Sequence, residues 1–198
     1  MAPSRLIGRA AVLQEVKEHL AARRSVLLVG PAGSGKTAII KEIRPAEGVL
    51  VVDPFARITT PRAAALRRAL DRGATVLGAA RSVNPSEMGH VGRVSWRLNR
   101  VYLRPLPPRD IRRILRGTLA AQVGPELPLA RQWISEAVDT AEGLPGRAVA
   151  LASVVAARWR KCGTLLLPRF ALAIAWQDAM GQSGNYLNHA GDEPGESS

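Results

Sequence analysis

Residues 30–37 read Gly30-Pro31-Ala32-Gly33-Ser34-Gly35-Lys36-Thr37 and match the pattern G-x-x-x-x-G-K-[ST]. An apolar run, residues 25–29, precedes this segment, and residues suited to a helix follow it. The glycines let successive backbone N–H groups turn toward one anion, and the start of a helix adds partial positive charge. We expect Lys36 to reach the β- and γ-phosphates of a nucleotide and the Thr37 hydroxyl to ligate Mg²⁺. We therefore predict a phosphate-binding loop here, called the P-loop below.

Asp53 ends the second apolar run of the sequence, residues 48–53 (GVLVVD). An apolar strand that closes on an acidic residue is the usual source of the second oxygen ligand that orients Mg²⁺. We predict a buried strand and a metal-orienting Asp53; the alternative is that Asp53 only opens a turn with Pro54. Many P-loop ATPases place a glutamate after this aspartate to orient the attacking water, and Pro54 stands there instead. Hydrolysis is therefore expected to be slow or dependent on a partner.

Short apolar runs alternate with amphipathic segments as far as residue 105. The patterns predict strands over residues 25–29, 48–53, 74–80 and 100–104, helices over 10–22, 35–43 and 60–72, and a polar loop over 82–98. From residue 107 onward the patterns predict only helices. The first starts at 107, the second covers 128–140, the third ends near 159 and the last covers 165–179. The fold class is therefore α/β, a parallel P-loop NTPase sheet with flanking helices, followed by a small all-helical lid. We predict a core over 1–106, a lid over 107–180 and a disordered tail over 181–198.

The composition predicts an aliphatic core in a cytoplasmic protein. Of the 198 residues, 46% are hydrophobic and only 4% aromatic, which is enough apolar surface for one domain with a small appendage. The single cysteine, Cys162, excludes a disulfide framework and a cysteine-cluster zinc site. We expect no secretory leader, because the first residues lack an apolar stretch, and no membrane contact, because Pro168 and Arg169 interrupt the most apolar C-terminal stretch.

The net charge of +12 is unevenly distributed along the chain. Residues 81–116 hold nine basic and two acidic side chains, and the 82 residues that follow carry a small negative charge. This excess either marks a surface for DNA or an acidic protein partner, best placed at Arg93–Arg116, or reflects a coding bias toward arginine. The sequence leaves both explanations open.

The order of the motifs resembles the AAA+ ATPases and the related signalling ATPases of the STAND, NB-ARC-like type, in a reduced version. The resemblance covers about residues 5–160 and rests on Ile7-Gly8-Arg9, the P-loop, the strand that ends at Asp53, the segment 76–81 (VLGAAR) and Gly143-Leu144-Pro145. Only fifteen residues separate Thr37 from Asp53, where most relatives fit an extra strand and helix. A sheet of about four strands is therefore expected.

The resemblance implies functional roles for individual residues at matching positions. Ile7-Gly8-Arg9 would line the adenine pocket, Arg81 would sense the γ-phosphate, and Arg147 would act as a second sensor from the lid. An arginine just before the next strand can act on the nucleotide of a neighbouring subunit, so Arg97 or Arg100 would have this role in a homo-oligomer. The alternative for each arginine is a solvated side chain of an arginine-rich sequence.

Three functions are compatible with these motifs. The first is an ATPase of AAA+/STAND type, a Mg·ATP-driven switch that acts with DNA or a DNA-bound protein, with Lys36, Asp53, Arg81 and Arg147 as its catalytic residues. The second is a nucleotide-switched protein-binding module with little hydrolysis, which Pro54 favours. The third is a small-molecule kinase, for which no acceptor site is evident. The resemblance points to ATP as the nucleotide, and the sequence contains no [NT]-K-x-D guanine motif.

Overall fold

A computed structural model describes residues 6–45, 47–124 and 131–175, apart from the side chain of Arg57. The predicted tail over 181–198 and the last residues of the final predicted helix lie outside these ranges.

One four-stranded parallel sheet forms the centre of the first part of the chain. Its strands, in the order β2-β3-β1-β4, are β1 (Val26–Val29), β2 (Val49–Val52), β3 (Thr75–Ala80) and β4 (Asn99–Tyr102). The register pairs Val29 with Ala80 on one side and with Tyr102 on the other, so these strands end at the same edge of the sheet. The parallel sheet and all four predicted strands are confirmed, with bounds that differ by one or two residues.

The prediction that the second strand is buried is wrong. Among the described strands, β2 lies at an edge and pairs with β3 alone, and its central residues Leu50 and Val51 are 42% and 46% exposed. A continuous apolar run is typical of a strand covered on both faces, and β1 and β3 fit that rule. In β2 the open side of the edge leaves both side chains partly in water, and the run alone does not reveal the position of a strand in the sheet.

Helices cover both faces of the sheet and build two cores. They are α1 (Ala10–Ala21), α2 (Lys36–Ile43), α3 (Thr60–Asp71) and the short α4 (Pro85–Met88) and α5 (Gly92–Ser95). Because side chains alternate along a strand, Val26 and Leu28 pack with α1 and α2 in the first core, whereas Leu27 and Val29 pack with α3, α4 and α5 in the second.

The prediction of a polar loop over residues 82–98 is also wrong. The segment contains α4, a 3-10 turn over Gly89–Val91 and α5, and it buries Met88, Val91, Val94 and Leu98 in the second core. These four residues recur at helical spacing. Pro85 precedes them and Gly89 and Gly92 lie between them, and these residues divide the segment into short turns.

The chain divides into two compact units. The first contains the residues up to Asp110 together with Leu144–Gly146, and the second contains Ile111–Gly143 and the residues from Arg147 onward. The described C-terminal region is helical, as predicted, with α6 (Pro108–Val123), α7 (Arg131–Ala141) and α8 (Pro145–Cys162), and residues 168–175 are also helical. In the part of the chain that the structure describes, we find no helix with the length and apolar character needed to cross a membrane.

Candidate functional site

The P-loop connects the end of β1 to the first residue of α2. Gly33 and Gly35 adopt φ angles of +79° and +98°, in the left-handed region that side chains with a Cβ rarely enter. Gly35 is the residue directly before α2, which begins at Lys36. The glycines at these two positions therefore permit the turn that brings the free N–H groups of the helix start to the loop.

Lys36 lies across the P-loop. Its Nζ donates hydrogen bonds to the carbonyl oxygens of Gly30 (2.6 Å) and Pro31 (2.8 Å) and lies 3.3 Å from Ser34 Oγ. Burial lowers the pKa of Lys36, the Asp53 carboxylate acts in the opposite direction, and the Arg81 guanidinium lowers the pKa further. Both charged groups therefore lie close enough to the lysine to affect its pKa, and the site brings Lys36, Asp53 and Arg81 together.

Thr37 and Asp53 are in direct contact. The Thr37 hydroxyl donates a hydrogen bond of 2.6 Å to Asp53 Oδ2. A hydroxyl and a carboxylate are hard oxygen donors, the type that Mg²⁺ prefers, and Mg²⁺ sites in phosphate-binding proteins use only one or two such groups beside phosphate and water. The pair therefore fits this ion. The described residues contain no group of three or more His, Cys, Asp or Glu side chains that would form an all-protein metal cage.

Arg9 lies beneath the P-loop and is 6% exposed. Its Nη1 donates to the carbonyl oxygen of Arg104 (2.9 Å), and its Nη2 donates to that of Ser34 (3.0 Å). Burial lowers the pKa of the guanidinium, whose Nε has no hydrogen-bond partner among the described residues. Arg9 thus ties the P-loop backbone to the chain after β4. No pattern in the sequence predicted this contact.

Gly8 permits close packing between the N-terminal segment and the start of α6. Its φ is +70°, and a Cβ at this position would lie 2.6 Å from Asp110 Oδ2 and 2.8 Å from Leu106 Cδ2. Asp110 is buried there, while the neighbouring Ile7 is half-buried.

Gly146 contacts the P-loop directly, and the sequence motifs did not predict this contact either. Its N–H donates a hydrogen bond of 2.7 Å to the carbonyl oxygen of Gly33, and a Cβ on Gly146 would lie 2.7 Å from Gly33 Cα. The signal in the sequence is a glycine directly after Gly143-Leu144-Pro145, at a helix start where only a residue without a side chain can approach another backbone so closely.

The remaining arginines lie in different surroundings. Arg81 directly follows β3 and is exposed. Arg147 forms an ion pair of 2.6 Å with Glu142 within the second unit. Arg97 lies in the turn before β4 and pairs with Asp71 at 2.6 Å, whereas Arg100 is an exposed residue inside β4. Only one of the last two therefore precedes the strand.

Comparison with known proteins identifies the fold. No family model matches the chain, and no curated protein matches it. RuvB of Thermotoga maritima, described as a Holliday junction branch migration motor, matches with a TM-score of 0.55 and 14% identity over 86% of this chain and 69% of that chain. The AAA domain of FIGL-1 in complex with ADP matches with a TM-score of 0.55 and 15% identity over 87% of this chain and 82% of that chain. A structure described as the structural basis for katanin self-assembly matches with a TM-score of 0.53 and 16% identity over 88% of this chain and 82% of that chain. The chain therefore has the fold of AAA+ P-loop ATPase domains.

Proposed function

We propose that this chain binds Mg·ATP at the P-loop and acts as an AAA+-type ATPase, a nucleotide-driven conformational switch. The observation that carries the proposal is the hydrogen bond between Thr37 Oγ1 and Asp53 Oδ2, beside a lysine already held at the loop. These three side chains supply the cation and the oxygen ligands that a bound Mg·triphosphate requires.

In this proposal the P-loop backbone and the side chains at the loop have separate roles. Backbone N–H groups within residues 32–37 bind phosphate oxygens, since Pro31 has no N–H and the Gly30 N–H donates to the Ala80 carbonyl. Lys36 Nζ exchanges its carbonyl partners for the β- and γ-phosphates. Thr37 and Asp53 would hold Mg²⁺, which neutralises phosphate charge when bound. Arg9 keeps the loop in place through the Ser34 carbonyl.

The roles of the other residues follow from the resemblance of the sequence to AAA+ and STAND ATPases. Ile7-Gly8-Arg9 would border the adenine, and Arg81 and Arg147 would sense the bound nucleotide from the core and from the lid. The position of Arg97 before β4 favours it over Arg100 as the arginine that acts on the nucleotide of a second copy in a homo-oligomer.

A binding module with little hydrolysis is the second candidate function. The observation that favours it is Pro54, because a proline side chain has no group that accepts a proton from water. In either case we propose DNA, a DNA-bound protein or an acidic protein as the partner of the basic segment Arg93–Arg116.

The test measures binding of N-methylanthraniloyl ATP (mant-ATP) with Mg²⁺, and ATP turnover with and without DNA. Lys36→Ala is expected to abolish nucleotide binding, while Lys41→Ala, an exposed lysine of the same helix, is expected to leave it unchanged. Binding without turnover under either condition would support the second candidate. If the wild-type chain binds no nucleotide, both candidates and the kinase are wrong. If it binds nucleotide and transfers the phosphoryl group to a small acceptor, it is a kinase instead.

A further inference from the structure

The outer face of β4 presents a regular row of polar and aromatic side chains. Val101 and Leu103 are buried in the first core, whereas Arg100, Tyr102 and Arg104 alternate with them and are exposed. Tyr102 is 54% exposed. Arg100 and Tyr102 lie on one face of β4, because residues two apart on a strand share a face and lie about 6.6 Å from one another; Arg104 is the second residue after the strand. We call Arg100, Tyr102 and Arg104 the β4 strip.

The helices of the first unit leave this strip uncovered. The parallel register pairs Arg100 with Leu27 and Tyr102 with Val29. Since Leu27 and Val29 belong to the second core, Arg100 and Tyr102 lie on the same face of the sheet as that core. Among the described residues, that core includes side chains of β1 and β3 but none of β4. On this face, the side chains of the last strand are therefore left exposed, whereas those of β1 and β3 are buried in the second core.

The strip is positively charged and lacks counter-charges nearby in the sequence. Residues 88–109 contain five arginines and no aspartate or glutamate. Asp71 pairs with Arg97, but neither Arg100 nor Arg104 forms an ion pair with any residue that the structure describes. Trp96, 71% exposed, lies three residues before the strand and adds a second aromatic ring to this region.

We propose that the β4 strip binds single-stranded nucleic acid, with Arg100 and Arg104 on backbone phosphates and Tyr102 stacked on a base. Arginines that flank an exposed ring match a ligand that carries phosphates and unpaired bases together. A duplex keeps its bases stacked inside and leaves none to stack on Tyr102, and an acidic peptide does not carry a flat ring beside each of its charged groups as a single strand does. The inference rests on the nucleic-acid partner in the proposed function, but it does not require hydrolysis.

The test measures the fluorescence anisotropy of fluorescein-labelled oligo(dT) over a series of salt concentrations. Replacing both Arg100 and Arg104 by alanine is expected to reduce the slope of log K against log[salt] by about 0.7 for each phosphate that the variant no longer neutralises. Tyr102→Ala is expected to weaken binding about tenfold or more without changing the slope, because stacking involves no counterion. Tyr102→Phe keeps the ring and is expected to bind as the wild type does.

The matched control replaces Arg67 and Arg68 by alanine, which removes the same charge from exposed positions of α3, outside the basic segment Arg93–Arg116. This control is expected to keep the affinity within about threefold, since it removes only long-range attraction. Equal losses in the two double variants, an unchanged affinity in Tyr102→Ala, or tighter binding of a duplex of equal length would each overturn the proposal. Thermal melting of each variant verifies that it is folded.

A second pair of measurements separates this proposal from the proposed function. Lys36→Ala is expected to lose mant-ATP binding and to keep oligo(dT) binding, because the strip contains no P-loop residue. If the wild-type chain binds oligo(dT) but no nucleotide, only the nucleotide proposal is wrong. If it binds mant-ATP but no oligo(dT), with or without the nucleotide, only the strip proposal is wrong.

Discussion

The hydroxyl of Thr37 donates a hydrogen bond of 2.6 Å to Oδ2 of Asp53, a residue sixteen positions later in the chain. β3 lies between β1, which leads into the P-loop, and β2, which leads to Asp53, so the contact joins residues that follow two non-adjacent strands. The parallel arrangement brings the ends of these strands to one edge of the sheet. The hydroxyl and the carboxylate therefore lie together at the position where we propose that Mg²⁺ binds.

Asp53→Asn is expected to remove most of the effect of Mg²⁺ on nucleotide affinity. An amide keeps the size of the carboxylate and an oxygen near Thr37, but it has no negative charge for a divalent cation. The measurement compares mant-ATP dissociation constants in Mg²⁺ and in EDTA, and we expect the ratio of the two to fall about tenfold, or ~1.4 kcal/mol. Asp139→Asn, an exposed position on α7, is the control. A ratio that stays unchanged in Asp53→Asn would contradict the assignment.

Arg9→Lys is expected to lower the free energy of unfolding and to weaken mant-ATP binding. The guanidinium bonds the carbonyls of Ser34 and Arg104 with two different nitrogens, and a single ammonium on a lysine does not have that forked geometry. We expect a decrease of about 1–3 kcal/mol in urea denaturation, since a buried carbonyl is left without its donor. Arg62→Lys, at an exposed position of α3, is expected to have no measurable effect. Equal stability of the two variants would show that the hydrogen bonds of Arg9 to the Ser34 and Arg104 carbonyls do not contribute to the free energy of unfolding.

Gly146→Ala is expected to destabilise the protein and to weaken nucleotide binding. The added Cβ would lie 2.7 Å from Gly33 Cα and 3.0 Å from its carbonyl oxygen, and both are backbone atoms of the P-loop that have little room to move. Overpacking of this kind costs about 1–3 kcal/mol. Gly117→Ala, in the interior of α6 with no atom within 4 Å of the new Cβ, is expected to stabilise by about 0.5–1 kcal/mol. Urea denaturation distinguishes the two, and effects of the same sign would refute the close contact.

Cys162 is expected to react with iodoacetamide at a lower pH than an ordinary thiol. The hydrogen bond with Thr164 Oγ1 (3.1 Å) is the main cause that lowers its pKa below the usual 9.0, and the charges of Arg158 and Lys161 act in the same direction. A lower pKa means more thiolate at a given pH, so the midpoint of the alkylation rate shifts toward neutral pH. Thr164→Val removes the hydroxyl and is expected to move the midpoint back up. A midpoint equal to that of N-acetylcysteine amide would contradict this prediction.

Short-range patterns predicted most of the fold. The apolar run before residue 30 and the glycines of the P-loop act through neighbouring residues, so β1, the loop and α2 were predicted within one residue. The short helices between Pro85 and Ser95 were missed because their prolines and glycines are typical of loops. The apolar side chains among them become visible as a core only when α3 and β3 pack against them.

The candidate site was predicted less completely than the fold. The P-loop pattern predicted Lys36 and Thr37 as site residues, and the end of an apolar strand predicted Asp53; the structure places these three side chains close together. No local pattern reveals that Arg9 supports the Ser34 carbonyl or that Gly146 contacts Gly33, because each pair is distant in the chain. Such contacts depend on how helices and strands pack together.

Hydrophobic spacing and turn chemistry act over a few residues, and for that reason the amino-acid sequence was sufficient to predict the four strands, the longer helices, their alternation and the P-loop. Which strand forms the edge, which arginine is buried and which remains exposed depend on the free energy of packing segments far apart in the chain. Leu50 and Arg9 illustrate both outcomes: an apolar residue left partly in water at the open edge of the sheet, and a charged residue buried because two backbone carbonyls accept its hydrogen bonds.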